Sequence, residues 1–216
     1  MSAVAEGPPG VTVDDAPAAQ RPAPPAPSTP WWRRTAVLSG AGVLLIVLAS
    51  IHLRTQALSA KFWIDEGLSV GVAHHPLFDI PSVLRKDGAP PLYYMLLHVW
   101  IDVVGGDGES RMHALSMIFA VLTAPVGWWA GRRIFGTRSG WASAGLLATC
   151  PFLTYYAQET RMYSLVALLG LASASAFTMA FAMRERRAIP AFSILTALTV
   201  YTHNWGLFLA VGMGVA

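Results

Sequence analysis

The chain has 216 residues, of which 54% are hydrophobic and only 12% are charged. Soluble domains carry about 25% charged residues, so this composition indicates an integral membrane protein. The net charge is +3, and the arginines cluster beside apolar segments. That pattern is typical of membrane topology and of contact with anionic membrane lipids, and we expect no nucleic-acid partner.

Residues 1–34 open the chain with a Pro- and Ala-rich segment. Eight of the fifteen prolines lie in residues 1–30, where large apolar side chains are almost absent. Such a segment cannot bury enough surface to offset its ordering entropy, so residues 1–34 are predicted to be a disordered cytoplasmic tail. The layout of a cleaved signal peptide is missing, and the first apolar run is therefore expected to be a signal anchor.

Residues 35–216 are predicted to be the N-terminal part of an all-α, polytopic membrane domain. A span needs about 20 apolar residues. Spans are predicted near residues 35–53, 112–131, 140–156, 163–183 and 189–203, with another starting from residue 207. A long external loop covers residues 54–110, and the spacing in 65–75 and 79–86 predicts two short interfacial helices. The last apolar run is still open at Ala216, so we expect the sequence to be an N-terminal fragment.

The apolar segment 91–105 decides the topology. If it lies in the interface, eight basic residues face the cytoplasm and six face outward; if it spans, four face inward and ten outward. The positive-inside rule favours the interfacial placement in a plasma membrane. The loop 54–110, the turn 158–163 and residues 203–205 then share the outer side, and their polar side chains are predicted to converge.

The first polar cluster is Asp65-Glu66, which follows the apolar residues Phe62-Trp63-Ile64. Acids at the start of a helix can simply complement its dipole. Alternatively, a partly desolvated carboxylate here acts as general base toward an acceptor hydroxyl. Adjacent helical residues point about 100° apart, so only one of the two carboxylates can face the reacting carbon.

The second cluster, residues 158–163, lies between two predicted spans. One interpretation is a local ion pair between Glu159 and Arg161, with the arginine extending to the interface. The other is that Arg161 binds a phosphate through its guanidinium group, while Glu159 or Gln158 orients the phosphate or a hydroxyl. Tyr163 closes this cluster and is a further candidate binding residue.

The third cluster, residues 202–205, interrupts an apolar run. A buried histidine with satisfied hydrogen bonds is one interpretation of His203. The other is that His203 forms part of a substrate-binding wall with Tyr93 and Tyr94. No metal signature is found, and no cofactor is predicted, although a divalent cation is left open. Phosphate-binding glycine loops are also missing, so any donor should be membrane-borne.

Four short motifs occur in order along the chain: Trp63–Gly67, Ala89–Tyr94, Gly131–Gly136 and Pro151–Ser164. Their order and spacing over residues 35–210 resemble the N-terminal half of the C-type (GT-C) polytopic membrane glycosyltransferases. That superfamily includes the protein O-mannosyltransferases and the aminoarabinose transferases. One departure is that Gly88-Ala89 stand before the Pro-Pro pair where many relatives have Glu-Lys, so a lysine contact to phosphate is not carried over.

The resemblance implies a polyprenyl-phosphate sugar donor in the outer leaflet and a lipid, glycan or protein acceptor outside the cell. The transferred sugar would be a mannose-like hexose or a pentose, moved with inversion. Asp65 would be the base with Glu66 beside it, and Arg161 would occupy the basic position near the donor phosphate. The chemistry agrees, since polyprenyl phosphate is already an anionic leaving group and needs only a base, a phosphate clamp and an orienting pocket.

Two other functional classes stay open at this point. A secondary transporter would use intramembrane His, Glu and Arg side chains as a substrate or proton pathway. A noncatalytic scaffold of a cell-envelope complex is the third possibility. The polar groups gather at one face and no internal repeat is visible, which favours the glycosyltransferase.

Overall fold

The computed structural model describes residues 31–215, with side chains from residue 35 onward, and all regular structure within them is helical. The all-α prediction is thus confirmed for this part of the chain. Residues 38–215 belong to one compact unit. Residues 1–30 of the predicted tail lie outside the described residues, whereas residues 31–34 are already helical, so the first helix begins earlier than predicted.

Ten α-helices occur within residues 31–215. They are α1 (Trp31–Arg54), α2 (Ile64–Ala73), α3 (Ile80–Leu84), α4 (Leu92–Val104), α5 (Glu109–Phe135), α6 (Thr137–Thr149), α7 (Pro151–Tyr156), α8 (Tyr163–Phe177), α9 (Ile189–Thr202) and α10 (Gly206–Val215). A π-helical turn, Thr178–Ala182, extends α8, and a short 3-10 turn, Arg186–Ala188, precedes α9.

Three helical segments are long and apolar enough to cross a membrane: Thr35–Arg54, Glu109–Phe135 and Tyr163–Ala182. At about 1.5 Å per residue, the 27 residues of α5 extend about 40 Å, more than the ~30 Å of a hydrocarbon core. The 13 residues of α4 extend only about 20 Å. By the same measure, the 14 residues of α9, in the span predicted near residues 189–203, extend only about 21 Å. Both helices are therefore shorter than a full crossing.

The span predicted near residues 140–156 is not one continuous helix. It is divided into α6 and α7 at Cys150, whose backbone is extended (φ −61°, ψ 119°). The reason is Pro151, because a proline ring disfavours helical geometry in the residue before it. The buried guanidinium of Arg54 donates to the oxygens of Leu147 (2.8 Å) and Ala148 (2.7 Å). Those carbonyls lie in the last turn of α6 and would otherwise lack partners.

Helices α5 and α6 are joined by a tight turn at Gly136 (φ +95°) and approach each other closely. A Cβ atom added at Gly140 would lie 2.7 Å from the Trp128 backbone oxygen. A Cβ atom added at Gly131 would lie 3.0 Å from the Ser139 backbone oxygen. Small residues at this crossing let the two backbones meet, as in other packed membrane helices.

The helices of the predicted external loop pack on the start of α5 and form the main apolar core. Its buried members are Val70, Ala73, Ile80, Leu84, Tyr93, Tyr94, Leu97, Met112, Leu115, Met162 and Leu165. Helix α4 is followed directly by Gly105, which adopts the left-handed conformation (φ +68°) typical of a helix C-terminus. This core holds α2 and α4 against the turn between α7 and α8, where the polar clusters lie.

Candidate functional site

Two of the three polar clusters meet where α2 begins. Arg161, in the turn between α7 and α8, donates a 3.2 Å hydrogen bond from Nη1 to the Asp65 backbone oxygen. Its Nη2 lies 3.6 Å from Asp65 Oδ2. The Asp65 side chain is 41% exposed and the Arg161 side chain 15%. A carboxylate and a guanidinium group therefore face each other beside solvent, although they are 96 positions apart in the chain.

A cavity of about 220 Å³ opens beside this pair. Its polar lining comes from Asp65, Ser69, Asp87, Tyr94 and Arg161, and the rest of its wall is mainly apolar side chains of α2 and α3. A concave site with an apolar wall and a few converging polar groups is typical of small-molecule binding. Of the predicted substrate-binding residues, Tyr94 and Arg161 line this cavity.

Asp65 and Glu66 separate into two environments. Asp65 points toward the cavity, whereas Glu66 is buried beneath α2. The divergence follows from helix geometry, because successive side chains differ by about 100° around the axis. Glu66 Oε2 also accepts the Trp63 N–H (3.2 Å), which satisfies one of the free donors at the start of α2.

The Glu66 carboxylate joins three parts of the chain. Its Oε1 lies 2.7 Å from His113 Nε2 on α5 and accepts the Thr160 backbone N–H at 2.6 Å. His113 Nδ1 lies 2.7 Å from the Leu58 backbone oxygen. The side chains of His113 and Glu66 are only 1% and 3% exposed. Glu66 is therefore a buried residue that connects α2 to α5 and to the turn before α8, and it does not line the cavity.

Arg161 is also held through its own backbone. Ser116 Oγ donates to the Arg161 backbone oxygen at 3.1 Å, and the Tyr93 hydroxyl lies 2.8 Å from Ser116 Oγ. Burial raises the pKa of Tyr93, so the hydroxyl stays neutral and can donate to Ser116. Tyr93 is completely buried, and this placement suits support of Arg161 rather than the direct substrate contact predicted from the sequence.

Neither Gln158 nor Glu159 lines the cavity. Gln158 accepts the Ala57 N–H at 2.6 Å and donates to the Thr154 oxygen at 2.9 Å, so its amide connects backbone segments. Glu159 is only 8% exposed, and its Oε2 has no hydrogen-bond partner among the described residues. Burial raises the pKa of Glu159, an effect opposed by a hydrogen bond from Tyr155. Within residues 35–215 Arg161 pairs with Asp65, and the local Glu159–Arg161 ion pair is not formed.

The third cluster reaches this region through ring contacts. The Arg161 guanidinium lies 5.8 Å from the Tyr163 ring centroid, and the Tyr163 and His203 rings are 5.7 Å apart. Asn204 Nδ2 donates to the Gly88 backbone oxygen at 3.1 Å. The three polar clusters thus converge, as predicted, although Tyr163 and His203 form a neighbouring aromatic wall and do not line the cavity itself.

Four residues of this region were not predicted from the sequence: His113, Ser116, Ser69 and Asp87. His113 and Ser116 lie one turn apart on α5, and both reach toward the turn that carries Arg161. Two polar residues at helical spacing inside an apolar span were a usable signal, because such residues usually face the interior of the bundle. Asp87 lines the cavity but follows α3 in an ordinary polar stretch, and no pattern distinguished it.

Metal ligands are not concentrated in the described part of the chain. No group of three or more His, Cys, Asp or Glu side chains with suitable geometry occurs there.

Comparisons with family models, with curated proteins and with solved structures gave no match for this chain.

Proposed function

We propose that the chain belongs to a membrane glycosyltransferase that moves a sugar from an outer-leaflet polyprenyl-phosphate donor to an extracytoplasmic acceptor. The observation that carries the proposal is that the Asp65 carboxylate and the Arg161 guanidinium line one cavity. Transfer from a phosphate ester needs a base for the acceptor hydroxyl and a cation for the departing phosphate. The pair supplies both groups.

The membrane setting is supported by the helices that flank the site. Three segments have the length and composition of membrane spans, and α1 carries exposed apolar side chains such as Leu38 and Leu45. Such side chains suit contact with lipid. In the proposed topology the arginines of the α5–α6 turn are cytoplasmic, and the cavity opens at the outer surface.

In the proposed reaction the acceptor hydroxyl lies beside Asp65. The carboxylate takes the hydroxyl proton while the acceptor oxygen forms a bond to the anomeric carbon of the sugar. The bond from that carbon to the phosphate oxygen breaks, and its electron pair leaves with polyprenyl phosphate. Attack from the face opposite the phosphate inverts the configuration, and Arg161 stabilises the charge on the leaving group.

The contact between Arg161 and Asp65 is weak enough for the guanidinium to exchange the Asp65 carboxylate for a donor phosphate. At 3.6 Å the carboxylate contact is long, and partly exposed ion pairs are worth only about 0–1 kcal/mol. A donor phosphate can therefore attract the guanidinium away from the carboxylate at little cost. Asp65 is then free to accept the proton, while Tyr94 and Asp87 offer hydrogen-bonding groups to the sugar from the same cavity.

The proposal is tested with full-length protein in membranes and a radiolabelled polyprenyl-phosphate sugar. Asp65→Asn keeps the size of the side chain but removes the base, so transfer should fall by about 10²–10⁴-fold while donor binding is retained. Asp79→Asn, at an exposed carboxylate outside the cavity, is the matched control. Near-normal transfer by stably inserted Asp65→Asn would remove Asp65 from the mechanism. Sugar uptake into vesicles without covalent transfer would support a transporter instead.

A further inference from the structure

Each ring nitrogen of His113 faces an oxygen that accepts hydrogen bonds. Nδ1 lies 2.7 Å from the Leu58 backbone oxygen, and Nε2 lies 2.7 Å from Glu66 Oε1. A backbone oxygen cannot donate, so Nδ1 must carry a proton. A neutral imidazole has only one N–H, and in that state Nε2 would direct a lone pair at the carboxyl oxygen. The pair therefore needs one proton more than a neutral histidine beside a carboxylate.

The surroundings of Glu66 indicate where that proton lies. The two carboxyl oxygens accept the Trp63 N–H (3.2 Å) and the Thr160 N–H (2.6 Å). Two converging N–H donors suit an anionic carboxylate, which only accepts hydrogen bonds. A carboxylic acid would instead have to donate one. The extra proton is thus better placed on His113 Nε2 than on Glu66.

We propose that Glu66 and His113 form a buried carboxylate–imidazolium pair, and that His113 is a positioning residue for the Asp65–Arg161 site. The inference stands on these contacts and does not depend on the proposed glycosyl transfer. The other ionisable groups close to the pair are Glu159 and Arg161 from the turn, Tyr93 from α4 and Tyr155 from α7. Loop residue Leu58 contributes only its backbone oxygen.

The positioning role follows from neighbours in the chain. Glu66 is next to Asp65, and its partner Thr160 is next to Arg161. The hydrogen bond from Thr160 to Glu66 therefore sets how closely Arg161 approaches Asp65. His113 does not line the cavity, but it neutralises the buried carboxylate on which that hydrogen bond depends. Removing one partner of a buried ion pair leaves the other charge uncompensated, which is strongly unfavourable.

The protonation state is measured by magnetic resonance of the full chain in detergent micelles, with histidine isotopically labelled at its ring nitrogens. At neutral pH both nitrogens of His113 should carry protons. The signal is identified by its loss in His113→Gln, or by its contact with labelled Phe62, whose ring lies 5.5 Å away, if that variant does not insert. A singly protonated His113 would overturn the proposal.

The positioning role is measured by limited trypsin digestion of the same protein without any sugar donor. Arg161 is largely covered in the intact turn, so cleavage after it should be slow. In His113→Gln this cleavage should become about tenfold faster or more, the size expected when a buried charge loses its partner. Cleavage after exposed Arg85 is the internal reference, and His98→Gln, a half-buried histidine elsewhere, is the control.

An unchanged rate of cleavage after Arg161 in well-inserted His113→Gln would refute the positioning role. Neither readout requires transfer activity, so failure of the proposed glycosyltransferase function would leave both results interpretable.

Discussion

The Arg161 guanidinium contacts Asp65 twice, at 3.2 Å to the backbone oxygen and at 3.6 Å to the carboxylate. The first contact is the shorter one and does not depend on the acidic side chain. The backbone contact therefore does not require the carboxylate to pair with Arg161. In the proposed reaction, a phosphate held by Arg161 and an acceptor hydroxyl held by Asp65 would lie on opposite faces of the anomeric carbon in one cavity.

Arg161→Lys should weaken use of the polyprenyl-phosphate donor although the charge is retained. A lysine ammonium is a compact charge that cannot reproduce the bidentate geometry of a guanidinium on phosphate. We expect the apparent KM for the donor to rise about tenfold, equivalent to about 1.4 kcal/mol. Arg111→Lys, an exposed arginine outside the cavity, is the matched control. An unchanged KM for Arg161→Lys would assign Arg161 to structural support.

Glu159→Gln should stabilise the protein near neutral pH. Burial raises the pKa of Glu159 above its ordinary value of 4.5, so folding favours the acid form. The stabilisation that this carboxyl gives is complete below pH 4.5 and is lost as the pH rises through the higher pKa of the folded state. Thermal unfolding in detergent should show the variant gaining stability over wild type as the pH rises. If the difference in unfolding temperature between the variant and wild type did not change with pH, the raised pKa of Glu159 would be contradicted. Asp79→Asn controls for the loss of a negative charge.

Gly140→Ala should destabilise the α5–α6 pair. The added methyl group would lie 2.7 Å from the Trp128 oxygen and 3.0 Å from the Arg132 nitrogen, both backbone atoms. Overpacking of this kind costs about 1–3 kcal/mol. Gly145→Ala is the matched control, because that helical glycine has open space around it. It should be neutral or stabilising by up to about 1 kcal/mol. Equal unfolding temperatures for the two variants would contradict the close crossing.

The proposed topology predicts which introduced cysteines an impermeant thiol reagent can reach in intact cells. In a Cys150→Ala background, Ser110→Cys should react from outside, whereas Thr137→Cys should react only after the membrane is opened. Both positions are exposed in the structure, so a difference reports the side of the membrane. Labelling of Thr137→Cys in intact cells would reverse the topology.

Local spacing in the sequence was enough to predict the short helices of the loop 54–110. Helical spacing predicted short helices over 65–75 and 79–86, and the structure has α2 at Ile64–Ala73 and α3 at Ile80–Leu84. The helix break at Pro151 could also have been predicted from the sequence, because a proline restricts the backbone of the residue directly before it, here Cys150. It was missed because the apolar run 140–156 continues across the proline without a change in composition.

The sequence by itself determined the all-α class and the presence of Asp65 and Arg161 in polar interruptions, because these depend on composition and on spacing along one segment. Of the spans predicted from the sequence, those near residues 35–53, 112–131 and 163–183 are long enough to cross a membrane in the structure. Only the tertiary structure decided that Asp65 faces the cavity while Glu66 is buried. That choice depends on His113, 47 positions from Glu66, and on the Thr160 backbone, 94 positions away. Helix geometry requires the two carboxylates to diverge, but the packing of α5 against α2 decides which of them is covered.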